Sequence, residues 1–353
     1  IGTTKICAIV AEVPEEGPLN IIGVGSCPSR GLRKGVVVNI ESTVESIKKA
    51  VEEAELMAAV QINSVYTGIA GSHISGENLK GVVALKKQEV TRDDISRAVE
   101  SARTLAVIPH ERRILHVLPR EFMVDDQEGV REPLGMSGNR LEVNVHVITG
   151  AVTSAQNIIK SVNRAGLDVV DIILQPLASS EAVLSAEERE LGVAMVDLGG
   201  GTTDLAIFLD GSIRHTAVLP IGGQNLTKDL AIGLLTSQTD AEKIKVQHGI
   251  ARTELVHGHQ MVEVPSVGDR PPRQFTRRDI AEILEPRVEE MFELVKREIV
   301  RAGYEGMLGA GVVITGGTSL LEGMPDAAER GLNLPARRGM PTGIGGLSDI
   351  VSN

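Results

Sequence analysis

Gly2-Thr3-Thr4-Lys5-Ile6 is echoed 199 residues later by Gly201-Thr202-Thr203-Asp204-Leu205, and each copy opens a segment rich in Ala, Ile and Val. A glycine-threonine turn repeated at that distance predicts two related halves, each starting on a strand, with a cleft between them. A chain of 353 residues has length for about two to three domains, so two halves and an insertion fit. Hydrophobic residues at 42% and charged residues at 24% exclude wholesale disorder. With 36 Lys+Arg against 47 Asp+Glu the net charge is −11, which argues against nucleic acid as a partner. Two cysteines, Cys7 and Cys27, make a disulfide framework or a cysteine metal site a poor reading and point to a reducing compartment. No apolar run approaches the ~18–20 residues of a membrane span. Six aromatic residues (two Tyr, four Phe, no Trp) leave the core to aliphatic side chains.

Strand-like and helix-like segments alternate, which predicts an α/β fold. Ile40, Val44, Ile47, Val51 and Leu56 recur at helical spacing over 39–60, and 91–106 is a second helix capped by Thr91 with Asp94 three residues on. In 141–148, Leu141, Val143, Val145 and Val147 alternate with Glu142, Asn144 and His146, the pattern of a half-exposed strand. Residues 78–152 thus read as an α+β insert. Beyond it come a helix at 153–165 capped by Thr153 or Ser154 and ended by Gly166, a strand at 168–174, and a helix at 179–190 ended by Gly192. Strands at 193–197 and 203–209 lead into the turn Asp210-Gly211 and a third strand, 212–219. Helices are expected at 224–235, 239–248 and 277–302, the last kinked or divided by Pro286, with a hairpin and exposed loop in 252–274. A strand at 311–315 leads to Gly316-Gly317 and a helix.

The strongest chemical signal is Val196-Asp197-Leu198-Gly199-Gly200-Gly201-Thr202-Thr203-Asp204. Three glycines between apolar strands leave backbone N–H groups uncovered for an anion, and the Thr hydroxyls add donors. Asp197 is placed to hold Mg²⁺ through its water shell. A plain Gly-rich hairpin is the alternative, weakened by the matching turn at 2–5. Gly316-Gly317-Thr318 suits the approach of a base or phosphate, or is an ordinary tight turn; Gly222-Gly223 serves a ligand or close packing. His257 and His259 lack companion ligands and read as a loop pair.

The order of a glycine turn, then DLGGGTTD, then ITGG resembles the actin-like ATPase superfamily. That resemblance implies ATP and Mg²⁺ as ligands, with Gly2, Thr3, Thr4 and Lys5 from one half and Gly199, Gly200, Gly201, Thr202 and Thr203 from the other clamping the β- and γ-phosphates. Ile173-Leu174-Gln175-Pro176-Leu177-Ala178-Ser179-Ser180 resembles the superfamily's first connecting segment, which puts Gln175 where the attacking water is oriented. Ala241-Glu242-Lys243-Ile244-Lys245 is similar to the helix that supplies a ribose-binding Glu and a Lys near adenine, here Glu242 and Lys245. Without the resemblance, Gln175 could cap a helix and the pair could be a solvated face. Gly222, Gly223, Gly316, Gly317 and Thr318 complete the implied nucleotide site.

A narrower resemblance is to the FtsA family of bacterial cell-division proteins, carried by Leu19-Asn20-Ile21-Ile22-Gly23-Val24-Gly25-Ser26-Cys27-Pro28-Ser29-Arg30-Gly31, by Glu188-Arg189-Glu190-Leu191-Gly192-Val193 and by the Val264–Arg273 segment. It implies an actin-like two-domain fold with a duplicated ATPase core: 1–77 and 153–192 form the first half, 78–152 the distinctive inserted subdomain, 193–225 and 306–353 the second half, and 226–305 its small subdomain. It further implies a scaffold with at most weak or regulatory ATPase activity that polymerises head to tail. The implied partners are the FtsZ C-terminal tail, docked on 226–305 with Arg287 as a contact, and other divisome proteins. The implied location is the cytoplasmic face of the inner membrane at the division site. The family's acidic residue before its first Ile-Gly is not in view because the chain starts at Ile1. The second connecting helix and the membrane-inserting C-terminal amphipathic helix are likewise absent by Asn353, and 340–353 shows no basic amphipathic stripe, so the chain is expected to be truncated. A type IV pilus assembly scaffold or a small-molecule kinase of the same fold are the alternatives.

Overall fold

In a computed structural model, which describes residues 1–268 and 270–346, the second copy of the repeated turn sits in a five-stranded sheet. Its order is Ser212–Leu219, Thr203–Leu209, Val193–Leu198, Val312–Thr315, Ala336–Arg338; the first three strands are antiparallel and the last two join in parallel. Asp210 and Gly211 both take positive φ, as a two-residue hairpin turn requires. The helices Gly223–Gly233, Gln238–His248, Arg277–Arg301 and Met324–Leu332 cover one face. Leu205, Ile207, Leu226, Leu230 and Phe292 are buried there in one aliphatic core.

The first half starts with a hairpin, Lys5–Glu12 with Leu19–Pro28, onto which Ile344–Gly346 adds in parallel. Ser64–Ile69 and Asp168–Leu174 form a separate parallel pair. Helix Ile40–Ala58, capped by Asn39, lies directly on the hairpin: a Cβ on Gly25 would meet the backbone of Ala50 and Ala54. That contact explains a glycine inside a strand.

Inserted between the paired strands Ser64–Ile69 and Asp168–Leu174 of the first half, Ser75–Ala84, Arg140–Ala151, Arg112–Val124 and Gln127–Val130 make a four-stranded antiparallel sheet. Helix Arg92–Leu105 packs on it, started by a full Thr91–Asp94 capping box.

Several local expectations give way. Strand Arg140–Ala151 is buried on both faces, with Glu142 paired to Lys80 and to Arg140 (2.9 Å). His146 is fully buried, its Nδ1 donating to Asn78 Oδ1 (2.7 Å) and its Nε2 accepting from the Thr216 hydroxyl (2.9 Å). Polar residues alternate there because both faces carry partners, not because one faces water. Helix Val152–Arg164 starts at Ala151 with no side-chain cap, so neither Thr153 nor Ser154 caps it. The expected helix at 179–190 is two, Gln175–Val183 and Ala186–Leu191, split by a second capping box at Ser185 and Glu188. Pro286 neither ends nor divides Arg277–Arg301. Pro286 and Glu282, whose carbonyl loses its i+4 donor, are both exposed, so that carbonyl is not left unpaired in the core. Between Gly316 and the expected helix, Met324–Leu332, comes a short 3₁₀ turn, Gly317–Leu320. Asp269 and 347–353, which belong to the Val264–Arg273 segment and to the 306–353 unit, lie outside the described residues.

His146 also sets a pH dependence. Burial, with His215 and Arg120 nearby, lowers its pKa to about 3, so the folded state holds it neutral while the unfolded chain protonates near 6.5. The unfolded state then binds more protons below pH 6.5, and stability falls as pH drops through that window. Urea melts at pH 7 and pH 5 should differ by about 2 kcal/mol from this residue. His146→Gln should flatten that slope; an unchanged slope would remove His146 as its source.

Candidate nucleotide cleft

The two glycine-threonine turns face one another. A Cβ on Gly200 would run into Thr4 Oγ1 and lie 3.2 Å from Thr4 Cβ, and one on Gly201 would lie 2.8 Å from Thr3 Oγ1. Beside them opens a cleft of about 550 Å³. Of the residues expected there, Gly2, Thr3, Thr4, Lys5, Gln175, Asp197, Gly199, Gly200, Gly201, Thr202, Gly223, Glu242, Lys245, Gly317 and Thr318 line it. Three expected residues, Thr203, Gly222 and Gly316, do not line it. Thr203 turns its hydroxyl to the Ile221 carbonyl (2.9 Å), so it is not a cleft donor. Gly222 and Gly316 are packing glycines: a Cβ on the first would meet the Gly199 and Gly200 carbonyls, on the second Asp197 and Leu198. Arg287 lies outside the cleft, bidentate on Asp229 (2.6 and 3.2 Å) and paired with Glu290.

Backbone hydrogen bonds fix the second turn. Gly223 N–H donates to Gly199 O (2.9 Å), Gln224 N–H to Gly200 O (2.8 Å), and the Thr318 hydroxyl to Gly199 O (3.0 Å). These three bonds occupy carbonyls; of the turn's own amides, Gly199 N–H closes the hairpin on Thr202 O (2.9 Å), and it is the Gly200 and Gly201 N–H groups that carry no backbone partner among the described residues. On the opposite wall Gly35 N–H donates to Thr3 Oγ1 (2.9 Å), leaving Thr4 as the exposed hydroxyl of that turn. Gln175 donates to the Ile1 carbonyl (3.2 Å) and rests on Gly68, which has no side chain to obstruct it. Lys245 is held by Gly223 O (3.1 Å), Thr227 Oγ1 (2.9 Å) and Glu242 (2.8 Å), so its cation is fixed at the rim.

Two carboxylates stand opposite each other in strand register, Asp197 and Asp204. Burial raises the pKa of Asp197, opposed by the Ser179 hydroxyl that donates to it (2.7 Å). Burial and then the Asp197 charge push Asp204 up to about 8. Asp204 Oδ2 accepts from Thr202 (3.0 Å), but its buried Oδ1 has no partner among the described residues. An orphaned buried oxygen beside a second carboxylate suits a hydrated divalent cation, whose water would satisfy it. Among the described residues no three His, Cys, Asp or Glu form a metal cage of their own.

Sequence reasoning gave Ser179 and Asp204 no role. The signal for Asp204 was its place at the far end of the DLGGGTTD hairpin, which puts it across from Asp197. Ser179 had none beyond the connecting segment.

Residues 194–353 match the family described as "Cell division protein FtsA" and 71–149 the "SHS2 domain inserted in FTSA". The chain is 52% identical over 353 residues to the cell division protein FtsA of Pseudomonas aeruginosa, covering 100% of itself and 84% of that protein. It is 46% identical over 358 residues to that of Escherichia coli K12, at 99% and 85% coverage. Among solved structures it resembles the PilM-PilN type IV pilus biogenesis complex (TM-score 0.72, 17% identity, 99% and 90% coverage). It also resembles the ethanolamine utilization protein EutJ of Carboxydothermus hydrogenoformans (TM-score 0.55, 17% identity, 96% and 82%). Those two likenesses establish an actin-like α/β fold and nothing finer. With half its residues identical to a curated relative from end to end, the chain belongs to the FtsA family of cell-division proteins.

Proposed function

We propose that this chain is an ATP-binding actin-like scaffold that polymerises and links the FtsZ ring to the cytoplasmic membrane at the division site. The observation that carries the nucleotide part is the opposition of residues 2–5 and 199–201 across one cleft, so that a single ligand touches both halves. The amides of Gly200 and Gly201 and the turn at Thr3 and Thr4 would hold the terminal phosphates. Asp197 and Asp204 would hold the water shell of Mg²⁺, which when bound neutralises phosphate charge. Glu242 and Lys245 would meet the sugar and base. Gln175 would orient water for a slow hydrolysis that tunes assembly.

Gly317 is the simplest probe of the base side, because nothing lies within 4 Å of a Cβ built there. Gly317→Ala should leave the ligand-free melting temperature unchanged, yet weaken ATP by about tenfold if the base lies against that backbone. Calorimetry on both proteins checks it, and equal affinity would move the base elsewhere.

Family membership supports the partner assignment: the FtsZ tail on 226–305, a second copy in a head-to-tail filament, and other divisome proteins. Arg287 would share its guanidinium with the tail while Asp229 holds it in place. Titration with an FtsZ C-terminal peptide tests this, and absence of binding would overturn the partner. Pelleting of the full-length protein on anionic liposomes, with and without ATP, tests the membrane link.

A further inference from the structure

Two of the hydrogen-bonded contacts between the inserted sheet and the core are made by neutral histidines. On strand Arg112–Val124, His116 Nε2 accepts the backbone N–H of Leu174 at 3.0 Å. Leu174 is fully buried, ends its strand and precedes helix Gln175–Val183, so its amide fixes where Gln175 enters the cleft. The second is His146, clamped between Asn78 of the insert and Thr216 of the second half. Asn78 Nδ2 also donates to the Arg214 carbonyl (3.1 Å). Gly76 has no side chain because His146 and Thr216 occupy that space: a Cβ there would lie 2.6 and 2.7 Å from them.

We propose that His116 is a positioning residue for Gln175, acting through the Leu174 amide, and that it ties the inserted domain to the hydrolytic side of the cleft. The inference rests on the nucleotide reading given above. Its physical content is a lever. The insert is fastened to the second half through Thr216 and Arg214, while His116 holds the first half's connecting segment. A shift of the insert against either half therefore moves the backbone that carries Gln175, and a displacement near 1 Å suffices to change a rate. An imidazole serves here because Nε2 must accept, which requires the proton on Nδ1. Burial favours that neutral ring, although Asp171 opposes the shift.

The test compares the full chain with His116→Leu, which keeps packing but removes the acceptor, and His116→Gln, whose amide oxygen reaches a similar distance. Three readouts are taken: amide hydrogen exchange at Leu174, ATP affinity by calorimetry, and phosphate release. His116→Leu should lose Leu174 protection and slow phosphate release about tenfold with ATP affinity within about twofold, the split expected when only a reacting-state arrangement is disturbed. His116→Gln should recover most of the rate. An unchanged Leu174 amide, an unchanged rate, or a rate that falls only in step with affinity would overturn the proposal. So would failure of His116→Gln to recover the rate while folded. If His116→Leu does not fold, His116→Ala takes its place in the same comparison. A parent chain that binds no ATP or releases no phosphate overturns the cleft reading itself, and is seen before any variant is made.

Discussion

Gly200→Val should reduce ATP affinity at least about a hundredfold, close to 3 kcal/mol, while leaving the ligand-free fold nearly intact. Gly200 is not among the positive-φ glycines, so valine meets no backbone strain. Its Cβ meets the opposing turn instead, with Thr4 Oγ1 in contact and Thr4 Cβ at 3.2 Å. Thr4 must swing away, and the two turns part at the point where the phosphates would be gripped. Ligand present at about 1,000 times its dissociation constant stabilises a protein by roughly 4 kcal/mol, so the parent should melt well above its ligand-free temperature in saturating Mg·ATP. In Gly200→Val that increment should fall to about 1.4 kcal/mol or less at the same concentration. A variant whose melting temperature rises as far as the parent's with Mg·ATP would show that the turns do not hold the ligand jointly.

Asp204→Asn should act in opposite directions on the empty and loaded protein. With its pKa raised to about 8, Asp204 holds a proton in the folded state at neutral pH that the unfolded chain, with a pKa near 3.8, has lost. Between those values the folded state binds more protons. Its contribution therefore falls as pH rises from about 4 to 8, at up to 1.4 kcal/mol per unit. Removing the carboxylate should stabilise the ligand-free protein by about 4 kcal/mol at pH 7.5, with the gain shrinking nearly to nothing by pH 4. The same change should weaken Mg²⁺-dependent ATP binding, because the orphaned Oδ1 no longer carries charge for the ion's water shell. Denaturant melts across pH and calorimetry with and without Mg²⁺ separate the two effects. A ligand-free Asp204→Asn protein less stable at pH 7.5 would contradict the buried-carboxylate account.

The parts of the site that were legible in sequence are those where backbone does the work. A Gly-Thr turn repeated in both halves, and Thr91 with Asp94 at capping spacing, each state their geometry locally. Residues whose role depends on a distant partner were not legible. Ser179 meets Asp197 only through the fold, and Arg287 finds Asp229 across 58 positions. Strand 140–151 misled for the same reason: alternation of Glu142 and His146 with valines signals exposure only when nothing covers the polar face, and here Lys80, Arg140, Asn78 and Thr216 do. The helix break at Ser185 was readable, since Ser185 and Glu188 repeat the capping pattern seen at Thr91, but the longer apolar run masked it. Pro286 failed as a breaker because its helix exposes that turn to water.

A crystal structure with Mg²⁺ and a non-hydrolysable ATP analogue tests the central claim most directly. The β- and γ-phosphates should lie between Thr3–Thr4 and Gly199–Gly201, each within hydrogen-bond reach of both turns. An analogue seated on one half alone, or away from the Gly200 and Gly201 amides, would contradict the account.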